Sequence, residues 1–494
     1  MTNDPLTTNR TIAIFQQVVA ANPTAAAAQD GLTFLRGIVG NDSNLRRTTA
    51  SWKEFQPRVG FAWDATGSGK LVIRGGYGIA FDQVFQNLTL FSQQQTHPIL
   101  YQTVLSQVDT APPPTPAGPL ATYRFGVDPL PAGATGLNTL AFGAVGRIND
   151  PRIRAPYVQQ WSIGGAWQFH PDYALSIDYY HALGIAEPRV QNINPLLSSL
   201  CQANTDGTPR YRPGGNPSDP RCVRGASTRF LDPVVAAVPG VGAGRLTQSN
   251  MIGTTNRSMF DGINFVLNKR YSNHFTMRVS YVLSWSRSFG GRPTSSYSGN
   301  GIAVTPDRQF LPGEFRPTLV DERHRFVWNG VFELPWGFQI SPIFQASSAR
   351  PLMFRSGRDT DGDGRTTVDR VCAGSTISAP IIPTVTAGIG SNFGCQQVPV
   401  NSLRGDPFVQ LDTRFGWSYS IKERMKIRLY YEFFNLFNTD NFGNCIETNA
   451  SLGSAFNQPV GYFGCAGGDR TAGQGFGPAI TGPLRSQFGF RFEF

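Results

Sequence analysis

The chain has 494 residues, and only 15% of them are charged, against about 25% in ordinary globular proteins. Aromatic residues make up 12% of the chain, and glycine occurs 54 times. Aromatic side chains suit the half-buried faces of β-strands, and glycine suits tight turns. This composition predicts an all-β protein.

Hydropathy and charge exclude two classes of protein. No stretch approaches the ~18–20 consecutive apolar residues of a membrane-spanning helix, which excludes a helical membrane protein. The mean hydropathy of −0.21 is compatible with a membrane barrel, because lipid-facing and lumen-facing residues alternate along its strands. The net charge of +10 comes from basic residues that are scattered singly, so we expect no nucleic-acid partner.

Alternating apolar and polar residues, bounded by Gly, Pro, Asn, Asp and Ser, predict about eleven strands. In chain order they cover 57–63, 71–81, 157–169, 173–181, 260–269, 275–285, 324–334, 338–346, 408–419, 426–438 and 484–494. Short turns join these strands into hairpins. The segments between hairpins are long, at about 82–156, 183–256, 287–323, 348–406 and 438–483.

Five such long loops are uncommon in a compact soluble domain. Short turns at one end and long loops at the other are typical of outer-membrane barrels, whose short turns are periplasmic. The sequence therefore predicts an all-β, transmembrane antiparallel β-barrel of the bacterial outer membrane, with long external loops. We expect contact with outer-membrane lipid.

The last strand carries the clearest alternation. Its membrane-facing residues are predicted to be Phe488, Phe490, Phe492 and Phe494. Charged residues on the opposite faces of the strands are expected to line a wet lumen. They are Arg74, Asp412, Arg414, Arg428, Glu432, Arg485, Arg491 and Glu493.

The strand count predicts that the chain is part of a larger barrel. Single-chain bacterial barrels have even strand numbers, and an unpaired strand edge is unfavourable in lipid. Counting back from Phe494 makes residues 1–55 an external loop or a remnant of an upstream barrel, partly helical within 8–40. Residues 56–494 then form the C-terminal barrel portion. Residues 1–10 show no secretory leader, which also favours a fragment.

Six cysteines form three local pairs, each inside one loop-like segment. The pairs are Cys201 with Cys222, Cys372 with Cys395, and Cys445 with Cys465. Local pairs of this kind indicate disulfides and an oxidising compartment. The alternative is six unrelated thiols.

One segment, 359–370, has the beginning of a calcium loop. Asp359, Asp361 and Asp363 alternate and are followed by a glycine, so that three carboxylates can converge on one cation. The twelfth position is Arg370, where calcium loops carry Glu, and Asp369 falls one residue early. Calcium is the one cofactor that the sequence suggests, and a solvated Asp/Gly turn is the alternative.

No arrangement of His with a nucleophile indicates catalysis, so the chain is not expected to be an enzyme. His324 lies in a charged segment at 321–325, either a lumen site or a charged rim. The Gly75–Gly78 stretch lies within a strand, which does not match a phosphate-binding loop. Tryptophans at strand ends suggest interface girdles, with ligand stacking as the alternative.

Several segments resemble a known family. Residues 55–64 (FQPRVGFAWD), the GSGK turn and residues 72–82 (VIRGGYGIAFD) look like the barrel of Oar-like TonB-dependent receptors. Residues 431–438 (YEFFNLFN) resemble the penultimate-strand motif of the wider family. The aromatic strand that ends at Phe494 resembles the signal that the outer-membrane assembly machinery reads.

The resemblance implies a 22-stranded barrel around an N-terminal plug, driven by TonB through a short box ahead of the plug. This sequence contains neither plug nor box, so we expect TonB to act only through parts outside it. The implied function is uptake of a large or scarce nutrient. The extracellular ligand is unknown. The alternatives are a surface adhesion or structural barrel without transport, and a soluble all-β domain.

The calcium hypothesis predicts that Asp361→Asn lowers the calcium-dependent protease resistance of residues 348–406, because one carboxylate ligand is lost. Limited proteolysis with and without calcium measures this. The parent protein is the control, and a parent whose cleavage rate does not respond to calcium would exclude the site.

Overall fold

The structure is a computed structural model that describes about half of the chain. The described residues are 10–21, 24, 29–39, 53–82, 127, 146–150, 154–194, 229–236, 249–289, 315–356, 370–376, 378–379, 381, 398–421, 425–441 and 483–494.

One large antiparallel sheet dominates the described residues. In chain order the strands are β1 Arg58–Asp64, β2 Leu71–Phe81, β3 Gly146–Asn149, β4 Tyr157–His170, β5 Tyr173–Asn192, β6 Ser249–Ser272, β7 Phe275–Phe289, β8 Phe315–Pro317, β9 His324–Leu334, β10 Phe338–Ser347, β11 Pro351–Leu352, β12 Leu403–Arg404, β13 Phe408–Ile421, β14 Met425–Phe434 and β15 Arg485–Glu493.

Eleven of these strands follow one another across the sheet in the order β1-β2-β4-β5-β6-β7-β9-β10-β13-β14-β15. Each pairs with the next of these eleven, so the path is an antiparallel meander. The short strands β3 and β8 pair with β6 and β7 outside this path, and β11 with β12 forms a separate small sheet. The all-β, antiparallel fold and the eleven strands of the sequence prediction are confirmed.

The strands β5 and β6 are longer than the sequence predicts. The prediction of a loop over 183–256 is wrong at both ends of that range, because β5 continues to Asn192 and β6 begins at Ser249. Register shifts interrupt their pairing around Glu187, where Ala186 has a φ of 57°. An inserted residue of this kind breaks the two-residue period, which hides the continuation of a strand in the sequence.

The penultimate strand is shorter than predicted. It ends at Phe434, whereas the sequence predicts a strand to 438. Asn435 and Asn438 have φ values of 54° and 50°, a left-handed conformation that Asn tolerates better than most residues. Asn435 also donates its backbone N–H to Asp412 Oδ1 at 2.8 Å. The chain therefore turns where the aromatic motif continues.

Strand pairing separates the side chains into two faces. One row across the sheet joins Phe488, Tyr431, Phe415, Ile340, Phe332 and Phe275, each directly opposite the next. We call the face that carries this row the apolar face. On each strand, the alternate positions point to the opposite side, which we call the polar face. A neighbouring row on the polar face joins Gln487, Glu432, Arg414 and Ser341.

Tight turns connect the strands at one end of the sheet. Asn273 and His274 have φ values of 50° and 67°, the conformation of a two-residue turn whose twist matches the strands it joins. The turn at Pro335–Gly337 has a φ of 80° at Gly337. A Cβ at Gly337 would lie 2.2 Å from the carbonyl oxygen of Ser418, so only glycine fits there.

Two helices form in the N-terminal segment where the sequence has a helical pattern. Helix α1 spans Arg10–Ala21, α2 spans Gln29–Val39, and a short helix α3 spans Asp232–Ala236. Phe15, Leu32 and Leu231 are fully buried. Leu231 N–H donates to Asn194 Oδ1 at 2.9 Å, which links α3 to the far end of β5. Among the described helices, none is long and apolar enough to cross a membrane.

Candidate functional site

The polar face of the sheet carries a paired arginine and carboxylate on β2 and β5. Arg74 Nη2 lies 2.9 Å from Asp178 Oδ2, and Arg74 Nε lies 3.1 Å from Asp178 Oδ1. The strand between them, β4, has Gly164 at this level. A Cβ there would lie 2.2 Å from Asp178 Oδ1, so glycine leaves the space in which the pair forms across β4.

A second charged group joins the last three long strands. Arg414 on β13 and Glu432 on β14 form an ion pair, with Arg414 Nε 2.5 Å from Glu432 Oε1. The Gln487 side-chain amide on β15 donates to the other oxygen of Glu432. The Glu432 side chain is 10% exposed and the Arg414 side chain 53%, so solvent reaches the cation more than the anion.

A third group lies at the turn end of the same strands. Glu493 accepts from Arg428 at 3.2 Å and from Arg491 at 2.9 Å. These side chains are a third or more exposed, and pairs of this kind contribute little to stability, about 0–1 kcal/mol. These pairs matter for their position, because they extend the charged part of the polar face to the turn end of the strands.

A concavity of about 820 Å³ opens on the polar face and spans strands β6 to β14. Its lining includes the charged pair Arg414 and Glu432 and amide side chains from neighbouring strands. Other polar lining residues are Asn268, Arg278, Asn329, Gln339, Ser341 and Asp412. A wall with these side chains suits water and polar solutes.

At the end of the sheet opposite the tight turns, carboxylates connect the longer segments to the strands. Asp321 is 1% exposed; it accepts the Ser286 backbone N–H at 2.8 Å, and Arg404 Nη2 lies 3.3 Å from it. Glu322 pairs with Arg350 at 2.7 Å. The charged segment at 321–325 thus holds the chain after β8 to the chain after β10.

The histidine of this segment, His324, contacts Tyr281, whose hydroxyl oxygen lies 2.8 Å from His324 Nδ1. Tyr281 and His324 lie on the apolar face, since Tyr281 is opposite Phe326. His324 therefore shares a face with aromatic residues and does not lie on the face that carries the paired charges.

The predicted calcium ligands Asp359, Asp361, Asp363 and Asp369 lie outside the described residues. The chain on either side of them is described, and Arg355 and Arg370 form a β-bridge across the base of this segment. Among the described residues there is no cluster of three or more His, Cys, Asp or Glu side chains that could hold a metal ion.

Of the six cysteines, only Cys372 lies within the described residues. It is 4% exposed and disulfide-bonded. Cys201, Cys222, Cys395, Cys445 and Cys465 lie in parts of the chain that the structure does not describe, so the three local pairings stay predictions.

Phe488, Phe490 and Phe492 lie on one face of β15, and Phe494 follows the end of the strand. The charges predicted for the lumen lie on the polar face of the sheet. Which face meets the membrane stays a prediction. Phe488, Phe490 and Phe494 are 67%, 61% and 95% exposed. Asp178, Gln487 and Gly164 complete the charged groups, and no pattern in the sequence indicates them. Their pairing depends on register between strands that are far apart in the chain.

A further polar group was also missed, and it lies on the apolar face. Asp261 on β6 accepts a hydrogen bond from the Tyr179 hydroxyl at 2.6 Å and lies 2.8 Å from His181 Nδ1. The Trp161 ring packs on Tyr179 and His181 with ring centroids 4.9 Å and 5.6 Å apart.

Replacing Gly164 with Ala is expected to destabilise the folded protein, because the new Cβ would displace Asp178 from Arg74. The matched control is Gly165→Ala on the opposite face, where the nearest atom to a new Cβ, the Val72 carbonyl oxygen, is 3.4 Å away. The midpoint of urea unfolding in detergent measures both. Equal midpoints for the two variants would contradict this role of Gly164.

The chain was compared with known proteins. A family model described as "Outer membrane beta barrel domain" matches residues 2–464. No curated protein sequence matches the chain. Solved structures that resemble this chain share little sequence identity with it, and the chain covers only part of each.

The outer membrane transporter YddB from Escherichia coli is 10% identical, with a TM-score of 0.41 over 89% of this chain and 40% of that one. The ferric enterobactin receptor of Pseudomonas aeruginosa is 9% identical, with a TM-score of 0.36 over 89% and 39%. The siderophore receptor PiuA of Acinetobacter baumannii is 10% identical, with a TM-score of 0.34 over 78% and 32%.

The chain therefore spans well under half the length of these solved structures. The family match covers nearly all of it, agrees with the meander of eleven strands and with the charged polar face, and places the protein in the outer membrane. The chain belongs to the outer membrane beta barrel domain family.

Proposed function

We propose that this chain is the barrel portion of a TonB-dependent receptor and transporter that takes up a large or scarce nutrient. The observation that carries the proposal is the polar face, with its three charged groups and the concavity of about 820 Å³. Charges on a barrel wall are tolerated where they face a wet lumen and are costly where they face lipid.

On this proposal the apolar face contacts the lipid. Phe488, Phe490, Phe492 and Phe494 contact hydrocarbon or its interface, and the alternate residues of β15 face the lumen. Burial of exposed aromatic area in the membrane supplies the driving force for insertion. The aromatic C-terminal strand is then the element that the assembly machinery of the outer membrane recognises.

The remaining partners follow from this function. TonB acts through a plug segment inside the barrel, next to the polar face. The long segments between hairpins bind the extracellular ligand and are held by disulfides, and one of them holds calcium at Asp359, Asp361, Asp363 and Asp369. The chain is not an enzyme on this proposal.

The two faces can be tested with adjacent residues of β15. Phe490→Cys is expected to react with a lipid-soluble maleimide and Arg491→Cys with a water-soluble one, because neighbouring residues of a strand point to opposite sides. The readout is labelling yield in membrane vesicles. Trp417→Cys and Ser418→Cys on β13 repeat the comparison on a second strand, and reversed labelling on both strands would contradict the membrane orientation.

Transport can be tested in the bacterium that carries the gene. The structural neighbours include a "Ferric-Catecholate import receptor", so a radiolabelled ferric catecholate is the first solute to supply. Disrupting the gene is expected to lower its accumulation severalfold, and disrupting TonB is expected to remove the difference between the two strains. Complementation with the intact gene is the control.

The adhesion alternative gives a different result in the same strains. Loss of attachment to a surface, with unchanged accumulation of the ferric catecholate and of other nutrients that need TonB, would reject transport in favour of a surface role.

A further inference from the structure

The apolar face carries almost no charge, and its exceptions gather in one place. Along the regularly paired strands of the described sheet, up to Ile185 on β5 and Arg257 on β6, four positions of this face hold Asp, Glu, Lys or Arg. They are Lys269, Arg257, Asp261 and Arg287. The last three lie together on β6 and β7.

Lys269 has an evident structural role. It is 3% exposed, and its Nζ donates to the carbonyl oxygens of Ser272 at 2.7 Å and Phe275 at 2.9 Å. It therefore stabilises the tight turn between β6 and β7. The charged group formed by Arg257, Asp261 and Arg287, which we call the outer cluster, has no such explanation.

The outer cluster lies at the edge of the apolar band, away from the tight turns. Eight residues separate Tyr173, next to a turn, from His181, which is opposite Asp261. Eight residues of strand span about 27 Å, or about 20 Å of height at a tilt of ~40°, and the apolar band of such barrels is ~25 Å tall. Arg287 and Arg257 lie two and four residue positions further out.

The two arginines have no close partner among the residues that the structure describes. Both side chains are exposed, and neither makes a hydrogen bond or ion pair within the described part of the chain. Arg287 interacts with Asp261 only at a distance, through charge. Because Met259 is opposite Arg287, Arg257 lies diagonal to Arg287 on the next strand, roughly 7–8 Å away between backbones. Two like charges so close favour an anion between them.

A polar and aromatic group adjoins the arginines on the side of β5 and β4. Asp261 is held by the Tyr179 hydroxyl and by His181, and its side chain is 22% exposed. The Trp161 ring, 41% exposed, packs beside them. A carboxylate next to an exposed indole can accept hydroxyl groups while the ring covers the C–H face of a sugar.

We propose that the outer cluster, together with Trp161 and His181, binds the headgroup of a phosphorylated glycolipid in the outer leaflet. Arg257 and Arg287 bind phosphate through guanidinium N–H groups, and Asp261 accepts sugar hydroxyls beside the Trp161 ring. The position favours a lipid over a soluble ligand, because acyl chains then lie along the apolar face below the cluster. This proposal rests on the membrane orientation given under the proposed function.

The test uses the full chain in neutral detergent micelles, with lipid A, a bisphosphorylated glucosamine disaccharide lipid, as the probe. Heat-modifiable migration on gels reports the unfolding temperature. We expect lipid A to raise that temperature in the parent protein. The double variant Arg257→Gln with Arg287→Gln is expected to need at least tenfold more lipid A for the same rise.

The matched control is Arg58→Gln with Arg485→Gln, which removes from the polar face two exposed arginines that pair with none of the described residues. It is expected to respond to lipid A as the parent does. Both double variants must fold without lipid, which their heat-modifiable migration shows directly.

Three results would overturn the proposal: an unchanged lipid A requirement in the Arg257 and Arg287 variant, an equal loss in the control, or an equal rise with phosphatidylglycerol or inorganic phosphate. The labelling of Phe490→Cys and Arg491→Cys is independent of lipid A. Failure of the lipid site therefore leaves the membrane orientation intact, and reversed labelling would reject both.

Discussion

Backbone hydrogen bonding between neighbouring strands is the constraint on which this structure depends. Within hydrocarbon no water can satisfy an N–H or C=O group, so every strand must pair along its whole membrane-spanning length. Nine of the eleven strands on the described path pair with a neighbour on both sides, and β1 and β15 each pair on one side. Once the ladder is fixed, side chains must alternate between two environments, which is why one face is aromatic and the other charged.

Most ion pairs of the charged face join different strands. Arg74 reaches Asp178 over Gly164 of the intervening strand, and Arg414, Glu432 and Gln487 occupy three successive strands at one level. Each pair is partly exposed, so its contribution to the free energy of unfolding is modest. What the pairs provide is a wet, charged wall without isolated buried charges. Such a wall is compatible with the passage of a polar solute and with a plug inside the barrel.

Apart from Lys269 beside a tight turn, the charged residues of the apolar face in the regularly paired strands lie at its outer edge. They form the outer cluster, in which Asp261 contacts His181 and Tyr179. An arginine in the middle of the band would be costly, whereas at the edge it reaches headgroups. The same alternation thus gives the wall two faces of different chemistry, and each of the two proposed functions uses one of them.

The sequence by itself determined the class of fold, the eleven strands and the residues that share each face of β13, β14 and β15. Successive side chains of a strand point to opposite sides, so the two faces can be read from the alternation of apolar and polar residues. The sequence did not determine the length of β5 and β6, where the bulge around Glu187 breaks that alternation. Nor did it indicate the partners of Arg74 and Glu432 or the outer cluster. Those groups join residues tens of positions apart, and only the register between strands decides which of them meet.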